Sequence, residues 1–318
     1  MGLRQTIRQL VRKLGYGIIS LEHTHHLSIP ERFPPGHFYS VIPSLSEVKK
    51  RAPAIFSKTA HIGAIDLNIE EQIQTLKDFI TMEEKPPFYS QEKRKRFNIE
   101  NGAFSYDDAP ILHYMMRRLH PKRIIEIGSG NSSACMLDTS DIYLSHSVDF
   151  TFIDLNCENL RKNLLKEDFR RVKILEQPVQ DVDLTIFKTL QANDLLFVDS
   201  SHVIKAGSDL CTILFEVLPI LSPGVCIHFH DIRYPFQYQQ DEVMKGTLWN
   251  EAYLLRAFLM YNKDFAITFW LNYLVNVNLP EAIDLQRFLP LSEWDRRFNN
   301  SANDFSSAGG SIYITKRQ

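Results

Sequence analysis

Short apolar runs separated by polar, helix-like stretches set the pattern of the chain from residue 123 onward. Seven runs recur: 123–127 (RIIEI), 151–154 (TFID), 172–177 (VKILEQ), 194–200 (DLLFVDS), 224–232 (GVCIHFHDI), 265–272 (FAITFWLN) and 311–316 (SIYITK). Helical periodicity fills most of the intervals, at 158–166, 183–191, 207–218 and 249–262. Strands alternating with helices predict an α/β fold, a doubly wound and mostly parallel seven-stranded sheet. Ligands of such sheets bind where the strands end.

The upstream region is patterned differently, and the chain divides on that basis into an extension, 1–95, and a main domain, 96–318. Residues 1–15 place Leu3, Ile7, Leu10, Val11 and Leu14 on one face and Arg4, Arg8, Arg12 and Lys13 on the other. Such a helix suits a membrane surface or a partner, or packs on its own domain or a dimer mate. Residues 21–60 are rich in His, Pro and aromatics, and Pro34, Pro35 and Pro43 predict an extended strap. His23, His25 and His26 read as solvated loop residues, because nothing completes a metal set. Residues 66–83 return to helical periodicity, with Leu67, Ile69, Ile73, Leu76 and Ile80 on one side. The basic run 93–96 (KRKR) reads as a solvated surface. A helix capped by Asp107 or Asp108, with Pro110 in its first turn, precedes the first strand.

Composition narrows the class. The chain has 318 residues, of which 44% are hydrophobic and 23% charged, as expected of a soluble globular protein. A net charge of −2 gives no basic groove for nucleic acid. Cys135, Cys157, Cys211 and Cys226 have no C-x-x-C spacing, which points to reduced thiols in a cytoplasmic protein. No apolar segment is long enough to span a bilayer.

Candidate chemistry collects at the predicted strand ends. The first run carries Glu126 and breaks into Gly128-Ser129-Gly130, followed by Asn131, Ser132 and Ser133. A strand, a turn with two glycines and a helix start make a cofactor loop, the glycines letting backbone approach the ligand. Asp154 ends the second run, where a carboxylate can accept from both ribose hydroxyls of a nucleoside. The third fingerprint glycine is replaced by Ser133, which favours an adenosyl cofactor over a dinucleotide. Gln180 and Asp181 can reach an adenine edge or simply form a turn and cap. Phe104 and Tyr106 can cover a cofactor or simply pack.

The fourth run ends Asp199-Ser200-Ser201-His202 and the fifth His228-Phe229-His230-Asp231. Two carboxylates near one point call for a cation or a shared proton. A divalent ion on Asp199 and Asp231, with His202 taking a proton, is one solution; helix caps and loop bonds are the plain alternative. His228 reads as facing into the sheet. The aromatic stretches 234–238 and 248–253 can form a lid or a stacking face, or fill a loop core.

These motifs together resemble the class I S-adenosylmethionine-dependent methyltransferases over about residues 100–316. EIGSG at 126–130 is similar to that family's first motif, Asp154 to its ribose acid and DLLFVDSSH to its fourth-strand motif. The resemblance implies the Rossmann-like class I methyltransferase fold and S-adenosylmethionine held by Glu126, Gly128, Ser129, Gly130, Asn131 and Asp154. IEIGSGNSSACMLDT, FVDSSHVIKAGSD, HFHDI and the upstream HFYSVIPS resemble a bacterial group often found in polysaccharide or surface-glycan gene sets. Asp199–His202 is similar to the D-x-x-H of metal-dependent sugar O-methyltransferases. That likeness implies an Mg²⁺-binding aspartate and a histidine base, with His230 here in place of the first acid of the next-strand pair. A cytoplasmic enzyme methylating a hydroxyl of a carbohydrate or glycolipid precursor is the expected function. His202 is its base, and Asp199, Asp231 and His230 are its companions. A dinucleotide oxidoreductase, or a module that has kept the fold and lost catalysis, is the rival.

Overall fold

In a computed structural model of the protein, the described residues are 32–57, 62–82, 86–89, 96–104, 107–280 and 309–318. The expected helix at 1–15, the histidines at 23, 25 and 26, residues 93–95 of the basic run, and Tyr106 lie outside them. The chain divides into two compact units, Met1–Ile55 and Phe56–Gln318.

Within the first unit the expected strap gives way to helix α1 (Leu45–Ile55). Pro34, Pro35 and Pro43 all precede it. The Glu47 amide donates to Ser44 Oγ (3.4 Å), and Glu47, Lys49, Lys50 and Arg51 are good helix formers.

The second unit is built on a seven-stranded sheet of order β3-β2-β1-β4-β5-β7-β6. The strands are β1 (Arg123–Ile127), β2 (Asp149–Asp154), β3 (Val172–Glu176), β4 (Leu195–Val198), β5 (Cys226–Phe229), β6 (Phe265–Phe269) and β7 (Ile312–Lys316). β1 to β5 pair in parallel, and β7 enters antiparallel between β5 and β6. The order reverses between β1 and β4, so the crevice of a doubly wound sheet opens over those two strands. Ile124, Ile125 and Ile127 are buried, as are all four residues of β4 and of β5, which is why these runs read as mostly apolar.

Helices α2 (Ile69–Thr81), α3 (Asp108–Leu119), α4 (Asn131–Tyr143), α5 (Glu158–Asn163), α6 (Asp209–Thr212), α7 (Gln240–Lys245), α8 (Glu251–Leu259) and α9 (Leu271–Asn276) accompany the strands. Several depart from expectation. The predicted helix at 183–191 is a 3₁₀ helix, Leu184–Thr189, started by Asp183 accepting from the Thr185 amide. The sixth run leaves the sheet after Phe269. There the Trp270 amide donates to Gln72 Oε1 (2.9 Å) and its indole to the Ile232 carbonyl (2.9 Å). The first of these bonds holds Gln72, and with it one face of α2, inside. Gln72, Thr75, Leu76 and Phe79 are buried, whereas Ile69 and Ile80 are exposed.

Arg96 corrects the reading of the basic run. Its side chain is buried, doubly bonded to Asp168 (2.6 Å to each oxygen) and bonded to Asp138 (2.8 Å) and Asp141 (2.9 Å). The four cysteines are free, and all but Cys211 are buried. Among the described residues no helix is long and apolar enough to cross a membrane.

Candidate active site

The loop after β1 is held from below. Glu126 is fully buried, and its carboxyl accepts from Ser132 Oγ (2.5 Å) and from Ser133 Oγ. Ser133 Oγ in turn accepts the Gly130 amide (2.9 Å). The acid of the first motif therefore acts on the turn through two serines at the start of α4. Ser133, standing where a third glycine would be, is half of that brace. Burial raises the Glu126 pKa to about 8, with Asp199 and Asp154 adding to the shift against the lowering effect of the two serines.

Above the loop, the ends of β1, β2 and β4 and the segment after β3 enclose a cavity of about 400 Å³, lined in part by Gly128, Asp154, Gln180, Asp199, Ser200 and Lys205. Asp154 holds the cavity's shape with both oxygens: Oδ2 accepts the Ser129 amide (2.8 Å) and Oδ1 the Asn156 amide (2.9 Å). Gln180 donates its amide to the Gly207 carbonyl (2.8 Å). Asn131 accepts from Asn163 of α5 (3.3 Å). Asp181 is exposed and does not line the cavity, while Phe104 is buried against Phe197 and His230. The cavity suits an adenosyl cofactor. Gly128 presents bare backbone, and Ser200 Oγ is buried in the wall with no hydrogen-bond partner among the described residues.

Beside this cavity the ends of β4 and β5 bring the expected acids and imidazoles together. His202 Nε2 lies 3.3 Å from Asp199 Oδ1 and 3.7 Å from Asp231 Oδ2. His230 Nδ1 lies 3.5 Å from Asp199 Oδ1 and 3.6 Å from Asp231 Oδ2. His202 and Asp231 both adopt left-handed backbone (φ 57° and 58°), a conformation that non-glycine residues keep only where surroundings enforce it. Each imidazole is backed by a further carboxylate. Glu251 Oε2 lies 2.7 Å from His202 Nδ1, and Asp108 Oδ2 lies 3.5 Å from His230 Nε2. Of the two residues expected to cap α3, Asp107 takes the N-cap position and Asp108 is the first helical residue. Asp108 Oδ1 accepts the Gly310 and Ser311 amides (3.0 Å each) and Ser311 Oγ (2.7 Å), tying α3 to the start of β7.

The protonation states follow from this crossing. Burial works to lower the His202 pKa, but the bonds to Asp199 and Glu251 outweigh it and raise it to about 10. Burial also opposes charge on His230, and Asp199 and Asp231 reverse that, so it too is raised. The acids move the other way. Burial would raise Asp231, yet His230 brings it down to about 2, and Asp199 is lowered as well. His228 faces into the sheet, stacked on Phe197 with centroids 3.8 Å apart and bonded to Ser311 Oγ (2.8 Å); burial keeps it neutral.

The charge of this cluster invites a cation, but its donors face one another. Asp199 and Asp231 sit opposite imidazole nitrogens, and among the described residues no group of three or more His, Cys, Asp and Glu is arranged to hold a metal ion. In this arrangement the two imidazoles answer the charge of Asp199 and Asp231.

Sequence reasoning missed Glu251 and Asp108. They lie 49 residues after His202 and 122 before His230 in the chain, and nothing local marks either as facing an imidazole. Ser132 and Ser133 did carry a signal, since a hydroxyl in place of a fingerprint glycine beside a buried acid asks for a bond.

A methyltransferase-domain family model, Methyltransf_24, matches residues 125–232. An uncharacterized protein of Archaeoglobus fulgidus is 34% identical over 167 residues, which is 51% of this chain and 75% of that protein. Among solved structures, the S-adenosylhomocysteine-bound methyltransferase PaMTH1 of Podospora anserina is 18% identical. That match covers 88% of this chain and all of that one, with a TM-score of 0.39. The O-methyltransferase TomG of Streptomyces achromogenes, solved with S-adenosylmethionine, is 16% identical over 70% of this chain and 87% of its own, with a TM-score of 0.35.

Proposed function

We propose, for a chain that belongs to the class I S-adenosylmethionine-dependent methyltransferase family, that the methyl group goes to a hydroxyl oxygen of a carbohydrate or of a glycan or glycolipid precursor. The observation that carries this reading is the convergence of His202 with Asp199 and Asp231 at two neighbouring strand ends, Asp199 also lining the cavity. When bound, S-adenosylmethionine supplies a methyl carbon made electrophilic by its sulfonium.

The protein has two tasks: to hold the acceptor oxygen in line and to receive the acceptor's proton. His202 Nε2 is the receiving atom. As the O–H proton passes to it, the bonding pair stays on oxygen and forms the new O–C bond, and the pair of the broken C–S bond leaves with sulfur. Asp199 and Asp231 then face an imidazolium, the charge state that their position favours. In the resting site His202 already carries that proton, so it must first release it. Asp199, which lines the cavity, would also face the positive charge of the cofactor when bound, so its hold on the imidazolium would weaken and the release would become easier.

A flat acceptor ring also fits the surroundings of His202. The Trp249 ring lies 4.4 Å from the imidazole, and Tyr238 lies 6.0 Å from Trp249. Aromatic faces beside polar groups suit the apolar face of a sugar ring.

Calorimetric titration with S-adenosylhomocysteine and with NAD⁺, followed by turnover on sugar acceptors, tests this. Micromolar binding of the first compound only, and a loss of about 10²-fold or more in Asp199→Ala and His202→Ala, is expected. Binding of NAD⁺ overturns the cofactor, and unchanged turnover in both variants overturns the site. Cofactor binding without any methyl transfer would favour a module that has lost catalysis.

A further inference from the structure

One buried carboxylate at the site has no task in the reaction as described. Glu251, the first residue of α8, is 1% exposed, and its Oε2 lies 2.7 Å from His202 Nδ1. Its other oxygen, Oε1, is buried with no hydrogen-bond partner among the described residues. The amides of Asn250 and Glu251 both donate to the His202 carbonyl oxygen, at 3.1 and 3.2 Å. One helix start therefore grips His202 twice, at the main chain and at the ring. Asn250 adds a third hold, its Oδ1 accepting the Ile204 amide (2.7 Å). On the remaining side the Trp249 ring packs against the imidazole.

An imidazole has two nitrogens, and their roles are coupled. A ring that donates Nδ1–H to a carboxylate has only Nε2 with which to accept a proton. Nε2 is the atom that faces Asp199 and Asp231. Flipping the ring would break a 2.7 Å bond and set a C–H against a buried carboxylate, which is costly in a dry site.

We infer that Glu251 is the positioning residue of the reaction: by accepting the Nδ1–H of His202 it fixes the ring so that Nε2 alone meets the acceptor hydroxyl. The inference rests on the reading of His202 as the base. Glu251 itself touches neither acceptor nor cofactor. Its carboxylate also steadies the imidazolium formed when the proton arrives.

The test is a double-mutant cycle with Glu251→Gln and His202→Ala in the full chain. Glu251→Gln is expected to lower kcat by about 10²-fold while leaving the KM for S-adenosylmethionine and the Kd for S-adenosylhomocysteine within about twofold. In the His202→Ala background the same change should cost nothing further, because its effect passes through the ring. Glu251→Asp, one methylene short but still a carboxylate, should recover part of the loss. An equal fall in both backgrounds, or weakened S-adenosylhomocysteine binding, would make Glu251 a structural brace and overturn the inference.

Proton NMR gives a readout independent of turnover. With the histidine ring nitrogens labelled, the wild type should show the His202 Nδ1–H resonance far downfield of the amides; it should be missing in His202→Ala and move upfield in Glu251→Gln, whose neutral amide oxygen accepts more weakly. Its absence in the wild type, or an unmoved position in Glu251→Gln, overturns the inference. If that resonance is present and S-adenosylhomocysteine binds, but no sugar is methylated, the failure falls on the acceptor reading and the Glu251–His202 pair stands.

Discussion

Gly128 passes so close to Asp199 that a Cβ on residue 128 would lie 1.7 Å from the Asp199 carbonyl oxygen. The cofactor loop after β1 and the acid that ends β4 are thus in backbone contact across the crevice. At φ 82° the residue also occupies the left-handed region that glycine alone enters without penalty.

Gly128→Ala should therefore disturb both halves of the site at once. The strand end must move, because a backbone oxygen cannot yield as a flexible side chain would. Calorimetry should show S-adenosylhomocysteine affinity falling by at least about 10²-fold, with a stability loss above about 1 kcal/mol. Tight binding in this variant would mean that the loop has freedom the contact does not suggest.

Glu126 should make stability fall as pH rises. Below its ordinary pKa of 4.5 the group is protonated in both the folded and the unfolded chain. Between 4.5 and about 8 the unfolded chain gives up the proton and the folded one keeps it, so folding is progressively disfavoured; above about 8 the effect is complete. Urea unfolding at pH 5.5 and 8.5 should show the wild type losing about 3 kcal/mol more than Glu126→Gln over that interval. Parallel pH profiles would count against a buried, protonated Glu126.

Arg96 should be worth far more than a surface arginine. Its guanidinium is 1% exposed and answers carboxylates on Asp138, Asp141 and Asp168. Arg171 also reaches Asp141 and Asp168, at 2.7 and 3.0 Å, but it is partly exposed and does not fill the same place. Arg96→Ala should cost about 3–5 kcal/mol in chemical unfolding. Arg96→Lys should recover little, because an ammonium cannot make the paired bonds to Asp168. A loss below about 1 kcal/mol would place Arg96 among ordinary surface pairs.

His202 should give methyl transfer an alkaline profile. With its pKa raised to about 10 in the free enzyme, kcat/KM for the cofactor should climb roughly tenfold per pH unit from 7 to 9. The apparent pKa in kcat should lie lower, since the bound sulfonium opposes the imidazolium. A profile flat from pH 7 to 9 would remove His202 from the proton-transfer step.

The sheet was legible because β1, β4 and β5 are buried on both faces and read as mostly apolar runs. The acid and imidazole pairs were legible because strand ends gather whatever polar residues follow them. What could not be read were partners fixed by tertiary placement. Gln72 stands beside the apolar stripe of its helix, yet it is the buried acceptor for the Trp270 amide, while Ile69 of that stripe is exposed. Glu251 sits among aromatic residues that suggested only a lid. Arg96 shared a basic run with its neighbours and nothing local told it from them.

The bond from Asp108 to Gly310 and Ser311 has a consequence for biosynthesis. It joins residues 202 and 203 positions apart, and β7 must slide between β5 and β6 before it can form. While a ribosome has yet to deliver residues 309–316, β5 is an unprotected sheet edge and Asp108, which stands behind His230, lacks its anchor. A nascent chain at that stage can assemble the cofactor loop from β1 and β2 but not the finished imidazole cluster. Cofactor capture should therefore precede catalytic competence during synthesis, and the incomplete edge is where a chaperone would have most reason to bind.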